Sequence, residues 1–245
     1  MNNVDGISIF RVKICQLDYH SMLKIISTEI KNNEQKIFTY ATANSLNLIY
    51  NNKKLSEIFN QFDYVHPDGV GVYLASKILY GKEGLSEKIT GSDFYPLLIN
   101  NAIKNNWKIF LFGDTEETLK KAIEKNHDLK ICGTQNGFNY EVEDVIKKIN
   151  GAGSQILIVG LGCPKQEIWI TENKDKLDAN IILAVGDGIK IFAGTKKRGG
   201  RVFQAVGLEW LVRLVNNPLM MWQRYLIGIP LFLYRVIKFK YFNKK

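Results

Sequence analysis

The chain has 245 residues, 46% hydrophobic and 23% charged, which is enough apolar material for a globular body and excludes a disordered or low-complexity chain. Three cysteines, Cys15, Cys132 and Cys163, with no CxxC pair exclude a disulfide framework and a zinc ribbon, and fit a reducing compartment. The net charge of +9 is unevenly placed: residues 210–245 hold seven basic residues and no acid, leaving +2 for residues 1–209, so one end of the molecule is expected to meet an anionic surface.

Residues 1–10 lack a basic segment followed by an apolar core, so no secretory signal is expected. In chain order, Ile7 to Cys15 predicts a strand, followed by a helix capped by Asp18 with Met22, Leu23, Ile26 and Ile30 on its apolar face. Lys36 to Thr42, Phe62 to His66, Lys108 to Gly113, Leu129 to Gly133, Gln155 to Gly160 and Asn180 to Val185 predict further strands, most of them followed by a helical stretch. This alternation predicts an α/β fold, a Rossmann-like, mainly parallel sheet with helices on both faces and ligands at the carboxyl ends of the strands. Charge and apolar pattern change together near Gly207, which divides the chain into a catalytic body, 1–206, and a C-terminal helical appendage, 207–245. The body is expected to fold without the appendage.

Four strand ends carry polar or small residues. Thr42-Ala43-Asn44 reads as a helix N-cap or as pocket lining. In His66-Pro67-Asp68-Gly69-Val70-Gly71, proline and glycine restrain and turn the chain, so that Asp68 is presented at the sheet edge as a candidate base; a plain turn aspartate is the alternative, and His66 reads as structural or as a second catalytic group. Thr90-Gly91-Ser92-Asp93 is a capping sequence ahead of a helical run, Phe94 to Asn105. Val159-Gly160-Leu161-Gly162-Cys163-Pro164-Lys165-Gln166-Glu167 joins an apolar strand to a helix opened by proline, so its N–H groups and Lys165 suit an anion such as a diphosphate. It is not a dinucleotide fingerprint, since Lys165 stands at the third glycine, and no Walker A spacing occurs.

His20, His66 and His127 show no ligand spacing, and there is no Asp-x-Asp pair and no G-x-S-x-G elbow. In the tail, Leu226 to Leu233 is too short for the roughly 20 apolar residues of a bilayer span. Trp222, Tyr225, Phe232, Tyr234, Phe239, Tyr241 and Phe242 interleaved with Arg and Lys predict a segment lying in the headgroup region of an anionic leaflet; an amphipathic helix packed on the core is the alternative. Nucleic-acid binding would use the same residues, but no signature of such a fold accompanies them.

Taken together and in order, Thr42-Ala43-Asn44, Asp68-Gly69, Thr90-Gly91-Ser92-Asp93, Gly160 to Glu167 and Gly207-Leu208-Glu209-Trp210-Leu211 resemble the WecG/TagA/CpsF family of bacterial glycosyltransferases over nearly the whole chain. The resemblance implies an inverting transferase that needs no cofactor or metal. It would move a sugar, N-acetylmannosamine or another hexose derivative, from a UDP-sugar to a polyprenyl-diphosphate-linked acceptor in cell-surface polysaccharide synthesis. It implies a bacterial cytoplasmic location, peripheral on the inner leaflet, with an anionic membrane surface rather than nucleic acid as partner, and leaves homo-oligomerisation open. A non-catalytic nucleotide-binding protein at the membrane surface, or a basic nucleic-acid-binding protein, remains the alternative.

By position, the resemblance makes Asp68 the catalytic base and Thr42, Asn44, Gly69, Thr90, Gly91 and Asp93 neighbours in the same pocket. The resemblance counts Gly113, Phe138, Gly160, Gly162, Pro164, Lys165, Gln166, Glu167, Gly186, Asp187 and Lys190 among the substrate-binding residues, with Gln166 and Glu167 matching the signature after the glycine turn, and brings Arg198, Arg213 and Arg224 to the acceptor's diphosphate. The chain departs from the family's Gly-Gly-Ala-Phe-Asp with Gly186-Asp187-Gly188-Ile189-Lys190, which puts a cation in place of an acid. Gly199-Gly200 replaces Ala-Pro, Lys88 stands where Arg is common, and Phe138 replaces a tyrosine.

Overall fold

The computed structural model describes residues 6–196, 209–216 and 218–242. It opens with an antiparallel hairpin, β1 (Gly6–Ile9) and β2 (Val12–Cys15), where the sequence predicts one strand. The apolar run conceals the turn because Phe10 and Arg11, rather than glycine or asparagine, occupy left-handed backbone at φ 50° and 71°. Asn60 holds them, donating from Nδ2 to the Arg11 carbonyl at 2.8 Å and accepting the Lys13 N–H at 3.1 Å. The next helix, α1 (Tyr19–Asn32), starts where the Asp18 carboxylate accepts the Ser21 N–H at 2.7 Å.

Six strands form one parallel sheet: β3 (Lys36–Ala41), β4 (Tyr64–Pro67), β5 (Ile109–Gly113), β6 (Ile131–Gln135), β7 (Ile156–Gly160) and β8 (Ile181–Ala184), in the order β4-β3-β8-β7-β5-β6. The connections carry α2 (Ala43–Tyr50), α3 (Lys53–Phe59), α4 (Val70–Tyr80), α5 (Gly91–Asn105), α6 (Glu116–Lys125), α7 (Val142–Gly151) and α8 (Lys165–Asn173); a short helix, α9 (Ile189–Phe192), follows β8. The inner strands β3, β5, β7 and β8 are buried on both faces, and β5, β7 and β8 read as near-continuous apolar runs, whereas the edge strand β6 is half-buried throughout. Phe110, Phe112, Leu157 and Val159 pack against α7 and α8, while Ile109, Leu111, Ile156 and Ile158 face α1, α5, α6 and α9. The chain leaves β5 toward β6 but leaves β7 toward β8, in the opposite direction, and adjacent strands with diverging connections open a crevice at their carboxyl ends.

The C-terminal region forms α10 (Glu209–Asn216), α11 (Pro218–Trp222), a π turn (Gln223–Ile227) and α12 (Gly228–Phe242). No described helix is long and apolar enough to cross a membrane. Packed on α2 and α4, α12 is tied down by the Asn47 amide, which donates to the Gly228 carbonyl at 2.7 Å, and by the Arg235 guanidinium, which donates to the Asn47 carbonyl at 2.7 Å. Phe232 and Val236 are fully buried in the core shared with α2, α3 and α8, and Phe232 meets Phe10 edge-on at 5.9 Å. The opposite side of α12 exposes Leu231, Tyr234, Ile237 and Tyr241. One helix thus has two apolar faces, one in the core and one bare. The boundary at 206/207 is therefore proposed as a functional division, since a body ending there lacks part of its core.

Candidate active site

The carboxyl edge of the sheet bears two adjoining features. The first is a cavity of about 450 Å³ over β3 and β4, lined by Thr42, Asn44, Asp68, Gly69, Thr90 and Arg224, and closed by apolar side chains of α4, the π turn and α12. Asp68 reaches it because its N–H continues the ladder of β4, donating to the Ala41 carbonyl at 2.8 Å, and Gly69 then turns the chain at φ +87°, which a side chain would strain. One Asp68 oxygen accepts the Gly91 N–H at 2.9 Å, at the first residue of α5, so the carboxylate is fixed by backbone. Thr90 caps the same helix and its hydroxyl donates to Asp93 at 2.6 Å, so Asp93 closes the cap instead of lining the cavity. Thr42 is both a cap and a cavity residue: its hydroxyl accepts the Ser45 N–H at 3.0 Å and begins α2, while Asn44 lies in the first turn.

Lys88 and Ser92 also line the cavity and do not figure among the residues assigned from the sequence. Their signal was their place on either side of Thr90. Arg224 enters from the π turn, a local irregularity common at functional sites, with its guanidinium 5.8 Å from the Tyr225 ring. Arg213 is carried on α10, and Arg198, with Gly199 and Gly200, lies outside the described residues.

The second feature is the crevice between β5 and β7, where the glycines are required by backbone meeting backbone. A Cβ on Gly113, at φ +138°, would lie 2.5 Å from the Gly160 carbonyl, and one on Gly160 would lie 2.9 Å from the Gly186 carbonyl oxygen. Around this floor stand Gly162 at φ +80°, Pro164 and exposed Lys165 at the start of α8, and Phe138, 74% exposed. Asp187 accepts from the Lys196 ammonium at 3.0 Å, and Lys190 pairs with Asp114 across 3.6 Å. The Lys190 ammonium is thus engaged by a carboxylate at the end of β5. Among the described residues, no three His, Cys, Asp or Glu side chains gather as a metal site.

Gln166 and Glu167 are buried between the two features. Gln166 accepts the Gly186 N–H at 2.8 Å and donates to Glu167, whose same oxygen also accepts the Thr39 hydroxyl, each at 2.8 Å. Burial raises the Glu167 carboxyl above its ordinary range against those two donors, and it pushes the Cys163 thiol up, with Arg224 pulling the thiol the other way. His66 is 0% exposed, lies 3.4 Å from the Cys15 sulfur, and is pushed down to about 3 by burial, so it is a neutral core ring rather than a proton carrier.

A raised Glu167 has a measurable consequence. The unfolded chain releases this proton near pH 4.5 while the folded protein holds it, so stability falls as pH rises until the folded-state group ionises. Glu167→Gln removes that decline, and urea unfolding should show the variant gaining on wild type as pH rises above about 4.5. A constant difference across that range would mean that Glu167 ionises alike in both states.

Comparison with known proteins places these features in a lineage. A Staphylococcus aureus (strain MW2) protein named N-acetylglucosaminyldiphosphoundecaprenol N-acetyl-beta-D-mannosaminyltransferase is 30% identical over 252 aligned positions, covering 100% of this chain and 97% of the relative. The protein of the same name from strain NCTC 8325 / PS 47 is 29% identical with the same coverage. The profile of the Glycosyl transferase WecG/TagA/CpsF family matches residues 7–245. Matched from its first hairpin to its end, the chain belongs to this family of glycosyltransferases.

Proposed function

We propose that the protein transfers N-acetylmannosamine from its UDP-sugar, with inversion, to the N-acetylglucosamine of a polyprenyl-diphosphate-linked acceptor. The observation that carries this reading is the Asp68 carboxylate, pinned by the Gly91 amide in a cavity whose far wall is apolar and supplied by α12. The acceptor sugar enters that cavity and its hydroxyl oxygen attacks the anomeric carbon from the face opposite UDP. Asp68 takes the hydroxyl proton as the new C–O bond forms, and the bond to the UDP oxygen breaks with its electron pair.

The donor lies over the glycine crevice, where the main chain approaches closely and the start of α8 offers N–H groups and Lys165 to the diphosphate. Phe138 stacks on the base. Arg224, which lines the cavity, meets the acceptor diphosphate, and the family resemblance gives Arg198 and Arg213 the same task. The exposed side of α12 rests in an anionic leaflet and holds the cavity against the lipid from which the acceptor projects. The enzyme works at the cytoplasmic face as a peripheral membrane protein.

Incubation with UDP-N-acetylmannosamine and a short-chain polyprenyl-diphosphate N-acetylglucosamine tests this directly. Mass spectrometry should show one N-acetylhexosamine added to the acceptor, with UDP released in equal amount. Absence of product across a panel of UDP-sugars, together with no rise in Tm on adding UDP, would make the protein a non-catalytic relative.

A further inference from the structure

At the other end of α12 from the acceptor cavity lies a second cavity, about 270 Å³, between the β1–β2 turn and the helix. Phe10, Arg11, Tyr50, Asn51, Lys238 and Phe239 line it, two cations and no carboxylate. Among the described residues neither Arg11 nor Lys238 forms an ion pair. The nearby Arg235 is already engaged by Asn47 and lies 4.8 Å over the Tyr50 ring, so the open cationic capacity rests with Arg11 and Lys238.

The turn that presents Arg11 is built against preference. Two consecutive non-glycine residues in left-handed backbone are disfavoured, and such outliers persist only where the surroundings over-determine them. Here Phe10 is held edge-on among Tyr50, Phe232 and Phe239 at 4.8, 5.9 and 5.5 Å, and Asn60 grips the Arg11 carbonyl. The arrangement places Arg11 beside the exposed Lys238. Lys238 borders the bare side of α12, one residue from Ile237 and one turn from Tyr234 and Tyr241. From Leu233, the last residue of α12 in the acceptor cavity, to Lys238 the helix rises about 7.5 Å at about 1.5 Å per residue, so a single phosphate group does not reach both cavities.

We propose that this second cavity binds the phosphate of an anionic phospholipid headgroup, fixing the far end of α12 in the leaflet while the near end receives the acceptor. The proposal rests on the membrane reading above and adds to it a defined phosphate site. Arg11 and Lys238 share the phosphate oxygens, and Tyr50 and Phe239 form the apolar wall beside them.

The full-length protein is tested by sedimentation with vesicles of phosphatidylglycerol in phosphatidylcholine. The double variant Arg11→Gln, Lys238→Gln should bind about 30-fold more weakly than wild type, the loss of two charge-assisted hydrogen bonds to the phosphate. A control with the same charge change outside the cavity, Lys13→Gln, Lys240→Gln, should lose no more than about threefold. Transfer to a water-soluble, short-chain acceptor should be unchanged in both variants. Vesicles given the same surface charge by a carboxylate lipid should bind wild type and the first variant alike. Equal losses in the two variants, or the same 30-fold loss on carboxylate vesicles, would overturn the phosphate site and leave diffuse attraction. Saturation by inorganic phosphate without weakening of vesicle binding would assign the cavity to a soluble anion and overturn the lipid source. If wild type itself binds no anionic vesicle, it is the membrane reading that fails.

Discussion

Asp68→Asn should lower transfer by at least about 100-fold while UDP still binds. The amide has the same shape as the carboxylate and retains an oxygen for the Gly91 N–H, so the bond that fixes residue 68 to the start of α5 survives. Only the capacity to take a proton is removed. The substitution is therefore a test of chemistry rather than of folding, and it is read by the rate of UDP release with a lipid-linked acceptor beside the Tm shift produced by UDP alone. The neighbouring ring cannot take over, because His66 is buried and held neutral. Turnover at the wild-type rate would remove Asp68 from the mechanism.

The second large effect separates the two duties of the C-terminal region. Phe232→Ala should destabilise by about 3–5 kcal/mol, since a fully buried ring is lost from between Phe10 and α4, and the Tm should fall by roughly 10 °C at about 2–4 °C per kcal/mol. Arg224→Ala should leave the Tm nearly unchanged and lower transfer about 10- to 100-fold, the range for hydrogen bonds to a charged group. Calorimetry and a transfer assay on the same two proteins check both. A stable Phe232→Ala protein would make α12 an appendage in the structural sense as well. A chain ended after Gln204 is expected to behave as an extreme form of Phe232→Ala, because Val236 leaves the core with it.

Much of this architecture was legible because parallel strands buried on both faces leave unbroken apolar runs, and those between Lys36 and Val185 lie in the sheet with ends displaced by a residue or two. Asp68 was legible for a related reason: a Pro-Asp-Gly step at a strand end admits few backbone paths. The hairpin was not, since its turn is made by Phe10 and Arg11, which carry no local turn signal and are held by Asn60, distant in sequence. The inner face of α12 was obscured by its outer face. Helical periodicity needs a polar side for contrast, and a helix apolar on both sides reads as a single hydrophobic run. Gln166 and Glu167 stood out as a motif, but which way they point is set by partners on β3 and after β8, and no spacing reveals that.

The close approach of main chain at Gly113, Gly160 and Gly186 limits which side chains the floor of this crevice can carry. A floor made of main chain carries no side-chain identity, so under the proposed function it offers every nucleotide sugar the same surface. A side chain at Gly113 or Gly160 would run into the facing main chain and one at Gly186 would be strained at φ +53°, so under the proposed function donor preference falls to whatever overhangs the floor. Here that means Phe138, Asp187 and the Lys190–Asp114 pair. The most sterically constrained part of the crevice is thus, on that reading, the least selective, and its selectivity is written on its rim.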